Sequence, residues 1–423
     1  MNYPPRFRAP LCPCAIILSA LMLQAAEPGV SRSVTIAECL RRVAEQSPDL
    51  KAGRSKTEAA TYRAQQAGRP INPRLESEVE NIGGSGAIEG FDSAETTIAI
   101  AQEFELGGKR RQRGEVAQAE TNASRAEQEL RLSALLFEAR RAVLAVQVAQ
   151  EKVRLDEEAL LLIREAEQLA TAREEAGKST VLETERARAD TAKAEIELEA
   201  QKAEQRDAVR ALALLWGETE PLFDTVEGVF SAGAAELPPL DTLLSRAAAN
   251  PGLKAAEAQT RTYAAKIGVE RAARVPNLEL SAGVRHFQEG SDFGFVVGAS
   301  IELPFYTRNR DGVRAAEADA EAARLETIAA RLKIEGTVRQ LYARLQTLAV
   351  KSARLKTTVI PAAERTLGLV NEAHKQGKAG YLDVLEARRT LMETRAQVIA
   401  IVTEYQGTSI ELGHLTNTLS ENL

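Results

Sequence analysis

Cysteine is scarce in these 423 residues: Cys12 and Cys14 sit near the start, and Cys39 stands alone after them. One cysteine beyond the opening segment excludes an internal disulfide framework. Histidine is as rare, with only His286, His374 and His414, far apart in the chain. A dedicated transition-metal site needs three or four such ligands converging. We therefore expect no resident metal, no cofactor and, in the absence of any nucleophile-and-base constellation, no enzyme activity. Aromatic residues make up only 4% of the chain, too few for several thick globular cores. Basic residues are interleaved with acids and the net charge is -6, which gives no sign of a nucleic-acid partner, and none is expected. Beyond residue 26 no apolar run reaches the length of a transmembrane helix. What remains is rich in Ala, Glu, Arg and Leu, a composition that points to long helices burying narrow stripes against one another.

The first 26 residues read as a secretory signal. Arg6 and Arg8 precede a short apolar run from Cys14 to Leu23, and Ala25 and Ala26 offer a cleavage site just before Glu27. The alternative is an uncleaved cytoplasmic N-terminus. A lipid anchor needs its acceptor cysteine after the apolar run, and Cys12 and Cys14 come too early, so no lipidation is expected.

The chain repeats itself at a spacing of about 200 residues. Pro48, Leu50, Lys51 and Ala52 recur as Pro251, Leu253, Lys254 and Ala255; Pro73, Leu75 and Glu76 recur as Pro276, Leu278 and Glu279. Glu105 and Leu106 recur as Glu302 and Leu303, and Gly177, Lys178, Leu182, Ala187 and Arg188 as Gly377, Lys378, Leu382, Ala387 and Arg388. The order implies two structural repeats, 27–220 and 241–423, joined by a linker at 221–240 where proline and glycine cluster. Each repeat runs helix, strand pair, long helical hairpin. The first opening helix is expected to run unbroken from Ile36 to Ala67, ended by Pro70 and Pro73. No proline lies between Pro73 and Pro221, and between Arg113 and Trp216 the only glycines are Gly114 and Gly177. That permits a hairpin over 109–216, with a turn at Gly177, and its counterpart over 312–415, kinked at Pro361.

The strand pairs, at 74–104 and 277–303, alternate as membrane-barrel strands do. Phe293, Phe295, Val297, Ala299, Ile301 and Leu303 share one face, with Gly294, Val296, Gly298, Ser300 and Glu302 on the other. Glu76, Glu78 and Glu80 fall on one face of the first strand, which fits a wet interior. A half-buried hairpin of a soluble protein alternates similarly, so one segment alone does not decide. Four strands cannot close a barrel, and an open edge in lipid leaves backbone groups unsatisfied. Lipid contact therefore requires an oligomer. Two copies would supply eight strands, which their own side chains fill; three would supply twelve and leave a passage.

These landmarks resemble the outer membrane efflux protein (TolC-like) family over nearly the whole chain past the signal. The wording Glu105-Leu106-Gly107-Gly108-Lys109-Arg110, with its counterpart Glu302-Leu303-Pro304, resembles the branch serving cobalt, zinc, cadmium, copper or nickel efflux. The resemblance implies a mainly α protomer with a small transmembrane β part, four strands and long coiled-coil helices. It implies a homotrimer with a 12-stranded barrel in outer-membrane lipid and a periplasmic tunnel. It further implies a periplasmic adaptor and an inner-membrane, proton-driven RND-type pump. The expected function is an outer-membrane exit duct of a tripartite efflux system for divalent heavy-metal cations. Alternatives are an exit duct for drugs or type I protein secretion, or, in another class, a periplasmic coiled-coil adaptor or structural protein.

Residues 172–180, ending Gly177-Lys178-Ser179-Thr180, satisfy a relaxed phosphate-binding P-loop pattern. A working P-loop follows a buried strand, whereas a helical leucine stripe lies upstream here, and the repeat drops the hydroxyl. The resemblance instead makes Gly177 and Gly377 turns at the tunnel tip, with Lys178, Leu182, Arg188, Lys378, Leu382 and Arg388 beside them as candidate adaptor contacts. It also matches Asp383 and Glu386 to a pair of acids that ring the closed entrance. Residues three apart share a helix face, so both carboxylates can point into a bore; solvent-facing acids are the plainer reading.

Overall fold

The computed structural model describes residues 33–233 and 237–418. The expected signal segment and its cleavage site lie outside the described residues.

β1 (Ser33–Thr35) leads into α1 (Ile36–Gln46), capped by Thr35, whose hydroxyl accepts from the Glu38 N–H at 3.2 Å. α2 (Pro48–Ala67) follows, so the single helix expected from Ile36 to Ala67 is broken. Pro48 is the cause: it suits the first helical position but drives the residue before it out of the α region, and Ser47 has ψ 125°. β2 (Arg74–Glu80) and β3 (Glu95–Phe104) come next, then α3 (Lys109–Glu175), 67 residues or roughly 100 Å long at 1.5 Å per residue. α4 (Val181–Leu214) returns.

The segment 221–240 is more than a slack linker. It contains β4 (Thr225–Glu227), which pairs in parallel with β1, and it buries Phe223 and Val226 against Leu40, Val43, Leu136, Leu212 and Trp216. Three-residue strands carry no periodicity, which is why the sequence does not announce them.

The second repeat opens with α5 (Leu240–Ala247) and α6 (Pro251–Ala272), broken at a proline as the first is. Here Asn250 precedes it and accepts from the Gly252 and Leu253 N–H groups at 2.8 and 3.4 Å. β5 (Leu278–Phe287) and β6 (Asp292–Ile301) precede α7 (Arg310–Arg354). A π-helical turn over Leu355–Val359 then leads into α8 (Ile360–Lys375), and α9 (Tyr381–Leu415) returns. The turn sits just before Pro361, whose ring cannot accept an ordinary helical neighbour four residues back. Widening the helix there lets it continue past the proline.

α3 packs along α2, α4, α6 and α9, and α7 along α6 and α9. The seams between the long helices bury small residues such as Ala139, Ala166, Ala170, Ala187 and Ala194, so the backbones approach closely. Among the described residues no helix is long and apolar enough to cross a membrane.

The other four strands form one antiparallel sheet in the order β2-β3-β5-β6, so the two repeats meet where β3 pairs with β5. The register sorts side chains into two faces. One carries Leu75, Val79, Ile98, Ile100, Phe104, Leu280, Val284, Phe293, Phe295, Val297 and Ile301, with no Asp, Glu, Lys or Arg among the strand residues. Phe295 is 92% exposed and Val297 83%. β2 and β6 are both open edges.

Candidate functional site: the acidic sheet face and the hairpin tips

The opposite face of the sheet is charged. Glu76, Glu78, Glu80, Glu95, Glu103, Glu279 and Asp292 share it with only Arg74 and Arg285, so carboxylates outnumber cations. Arg285 is used up within it. Its Nε donates to the Thr97 hydroxyl at 2.9 Å, and its terminal nitrogens lie 2.8 Å from Glu95 and Glu80. Arg74 pairs with Glu279, and Lys109 reaches the Asn277 amide oxygen at 2.6 Å while that amide donates to Glu103 at 2.5 Å. Glu103, Lys109, Asn277, Glu279 and Glu302 line a groove of about 470 Å³ where the strands pass into the helices.

The segments joining strand to helix differ between repeats. In the first, Gly107 and Gly108 take φ +69° and +75°, and a Cβ on Gly107 would come within 2.7 Å of Val275. Glu105 accepts from Arg113, which holds its carboxyl below the usual carboxylate range. Arg113 also donates to the Ala67 carbonyl at 2.9 Å, tying the end of α2 to α3. Leu106 and Arg110 are exposed. In the second, Asn309 takes the left-handed conformation at φ +46° and donates to the Glu270 carbonyl at 2.9 Å. Glu302 and Leu303 are exposed there, and Pro304 is half-buried.

At the far end both hairpins reverse through a glycine, Gly177 at φ +66° and Gly377 at φ +73°. Open space surrounds each Cα, so the backbone angle alone selects glycine. Lys178, Leu182, Lys378 and Leu382 are exposed beside them. The paired arginines diverge: Arg188 is exposed and pairs with Glu185 at 2.6 Å, whereas Arg388 is half-buried, with its Nε unpartnered, and burial lowers its pKa. Asp383 and Glu386 are both exposed on α9, and Asp383 already accepts from the Gly380 N–H at 2.8 Å as a helix cap. A capping role is a contact that no spacing reveals.

The tips hold further groups that no sequence motif marks. Tyr381 donates to Asp190 at 3.3 Å, joining α9 to α4; burial and that carboxylate push its hydroxyl up to about 12. Arg173 donates to the His374 carbonyl at 3.0 Å, joining α3 to α8. These partners are about 200 residues apart. The alignment of Gly177 with Gly377 was the available signal, since it places both turns at one height.

Four strands with an uncharged apolar face, carried on two helical hairpins, define the protomer of a channel-tunnel protein. The sequence matches the outer membrane efflux protein family over residues 39–218 and 243–418, and the chain belongs to that family. The cobalt-zinc-cadmium resistance protein CzcC of Cupriavidus metallidurans is 30% identical over 339 residues, spanning 78% of this chain and 77% of its own. The nickel-cobalt-cadmium resistance protein NccC of Alcaligenes xylosoxydans xylosoxydans is 31% identical over 324 residues, 76% of this chain and 72% of its own. Among solved structures, CusC superposes with a TM-score of 0.75 at 20% identity, covering 97% of this chain and 98% of its own. The outer membrane protein VceC of Vibrio cholerae gives 0.73 at 19%, covering 90% and 95%. The fold is therefore that of TolC-like channels.

Proposed function

We propose that this chain is the outer-membrane exit duct of a tripartite system exporting divalent transition-metal cations. The observation that carries the reading is the two-faced sheet: one face is without charge, the other dominated by carboxylates. An uncharged face suits lipid, and an acidic one suits a water-filled passage for cations. The open edges of β2 and β6 call for closure by further copies, and three give a twelve-stranded barrel of passable width. The cargo assignment draws on the metal-resistance relatives. The basic and apolar opening residues support export by a cleaved signal.

In this reading the hairpin tips face the periplasm. The exposed Leu182 and Leu382, flanked by Lys178 and Lys378, supply an adaptor-binding rim, with Arg188 alongside. Arg388 contributes from within the hairpin packing. Asp383 and Glu386, repeated three times, form an acidic constriction, and an inner-membrane proton-driven pump feeds it. Deleting the gene should lower the inhibitory concentrations of zinc, cadmium, cobalt, nickel or copper, with restoration from a plasmid copy. Sensitisation to organic dyes and drugs alone would overturn the cargo assignment and leave the duct standing.

A further inference from the structure

His374 closes α8 at the tip and is 4% exposed. Its Nδ1 lies 2.9 Å from the Ala379 carbonyl oxygen. A carbonyl only accepts, so Nδ1 carries a proton, and whenever the ring is neutral Nε2 presents a lone pair. Nε2 points across the seam between the hairpins, and 4.0 Å away lies Oε1 of Glu183, near the start of α4. That oxygen is buried without a hydrogen-bond partner, while Oε2 accepts from the Ser179 hydroxyl at 2.6 Å. In that neutral form a lone pair and a carboxylate oxygen face each other with no donor between them. That arrangement calls for positive charge in the gap, supplied either by a proton on Nε2 or by a metal ion.

We propose that His374 Nε2 and Glu183 Oε1 form a divalent transition-metal site that fastens the tip of one hairpin to the other. The imidazole has the arrangement metal-bound histidines use, with the second ring nitrogen donating to a backbone carbonyl that fixes tautomer and ring plane. Bond lengths near 2.0–2.2 Å at a tetrahedral ion place the two ligand atoms about 3.4 Å apart. The seam therefore closes by about 0.6 Å on loading, within the reach of two side-chain rotations. Among the described residues no third His, Cys, Asp or Glu joins these two, so water completes the coordination and the site falls short of the three or four protein ligands of a dedicated metal centre. The Arg173 guanidinium, on the His374 carbonyl, opposes any cation nearby. Hard ions such as magnesium gain little from an imidazole nitrogen, so affinity falls to ions that favour it: zinc, nickel, cobalt and copper. The ligands come from α4 and α8, so a bound ion braces the two hairpins at their ends. The site is distinct from Asp383 and Glu386, which are exposed on α9.

The test uses the full-length oligomer purified in detergent and titrated with zinc chloride by calorimetry at neutral pH. One zinc ion per chain should bind, unaffected by a thousandfold excess of magnesium. His374→Gln and Glu183→Gln should each weaken it by at least about tenfold. The double variant Asp383→Asn, Glu386→Gln should retain it. Zinc should also slow hydrogen exchange over residues 174–184 and 373–384 in the wild type, and not in Glu183→Gln. If His374→Gln fails to assemble, Glu183→Gln decides the matter alone. Absence of saturable zinc binding, equal affinity in Glu183→Gln, displacement by magnesium, or loss only in the α9 double variant would each overturn the proposal. Metal resistance of cells does not enter this test, so its failure and that of the cargo assignment are separable.

Discussion

The two hairpins follow the same element order and are built differently. α3 runs 67 residues without interruption, whereas its counterpart is divided by the π-helical turn Leu355–Val359 into α7 and α8. The cores beside them differ too. The first repeat buries Trp216 and Phe223 with Leu136 and Leu212, while the second centres on the aliphatic Leu243, Val338, Leu341, Leu345 and Leu412. The first hairpin is thus a stiff stave on a large core, and the second is jointed below a smaller one. Side chains span the joint and pin the second hairpin to the first: Arg395 on α9 reaches Glu158 on α3 at 2.5 Å and Glu364 on α8 at 2.9 Å. Through these pairs the uninterrupted hairpin braces the jointed one.

The largest expected effect comes from the cores. Leu212 and Leu412 are repeat equivalents, 0% and 5% exposed. Leu212→Ala should cost about 4 kcal/mol and Leu412→Ala about 2–3 kcal/mol, because a cavity among large fixed neighbours collapses less. Denaturant unfolding of the two variants measures both; equal losses would erase the distinction between the repeats.

Next is the junction of sheet and stave. The Glu105 carboxyl is held low by Arg113, so its contribution is present above the ordinary carboxylate range and lost as pH falls through the lowered value. Glu105→Gln should destabilise the junction by about 1–2 kcal/mol at neutral pH and remove this part of the acid sensitivity. An unchanged acid-unfolding profile would show that the pair does not matter.

The joint gives the smallest effect. The Arg395 ion pairs are partly exposed, so Arg395→Ala should cost no more than about 1 kcal/mol overall. Its signature is local: faster hydrogen exchange in α8 and the first turns of α9, with α3 and α4 unchanged. Equal acceleration in both hairpins would contradict the jointed arm.

How much of this was legible follows from what each feature leaves in a linear chain. A 67-residue helix is written as an absence of proline and a near-absence of glycine, and the faces of β5 and β6 as a period of two. Pro48 and Pro251 are visible as repeat landmarks, yet the periodic stretch from Ile36 reads through Pro48 because proline suits a first helical turn, and the break lies in the ψ of Ser47. The β1–β4 pair is too short for any period, and the π turn depends on how the helix accommodates Pro361 rather than on composition. At the tip, Gly177 and Gly377 announce themselves through backbone demand. His374, Glu183, Arg173, Tyr381 and Asp190 acquire meaning only when chain segments about 200 residues apart are brought together, and single residues have no pattern.

The proposed duct requires the uncharged sheet face to meet lipid and the acidic face to avoid it. The one native tryptophan, Trp216, is buried in the first repeat's core and serves as an internal reference. Phe295→Trp and Ser300→Trp place a second indole on the uncharged and the acidic face respectively. In vesicles of brominated lipid the added emission of Phe295→Trp should be quenched, while that of Ser300→Trp and of Trp216 is preserved. Equal quenching of both added indoles, or quenching of Ser300→Trp alone, would contradict the account.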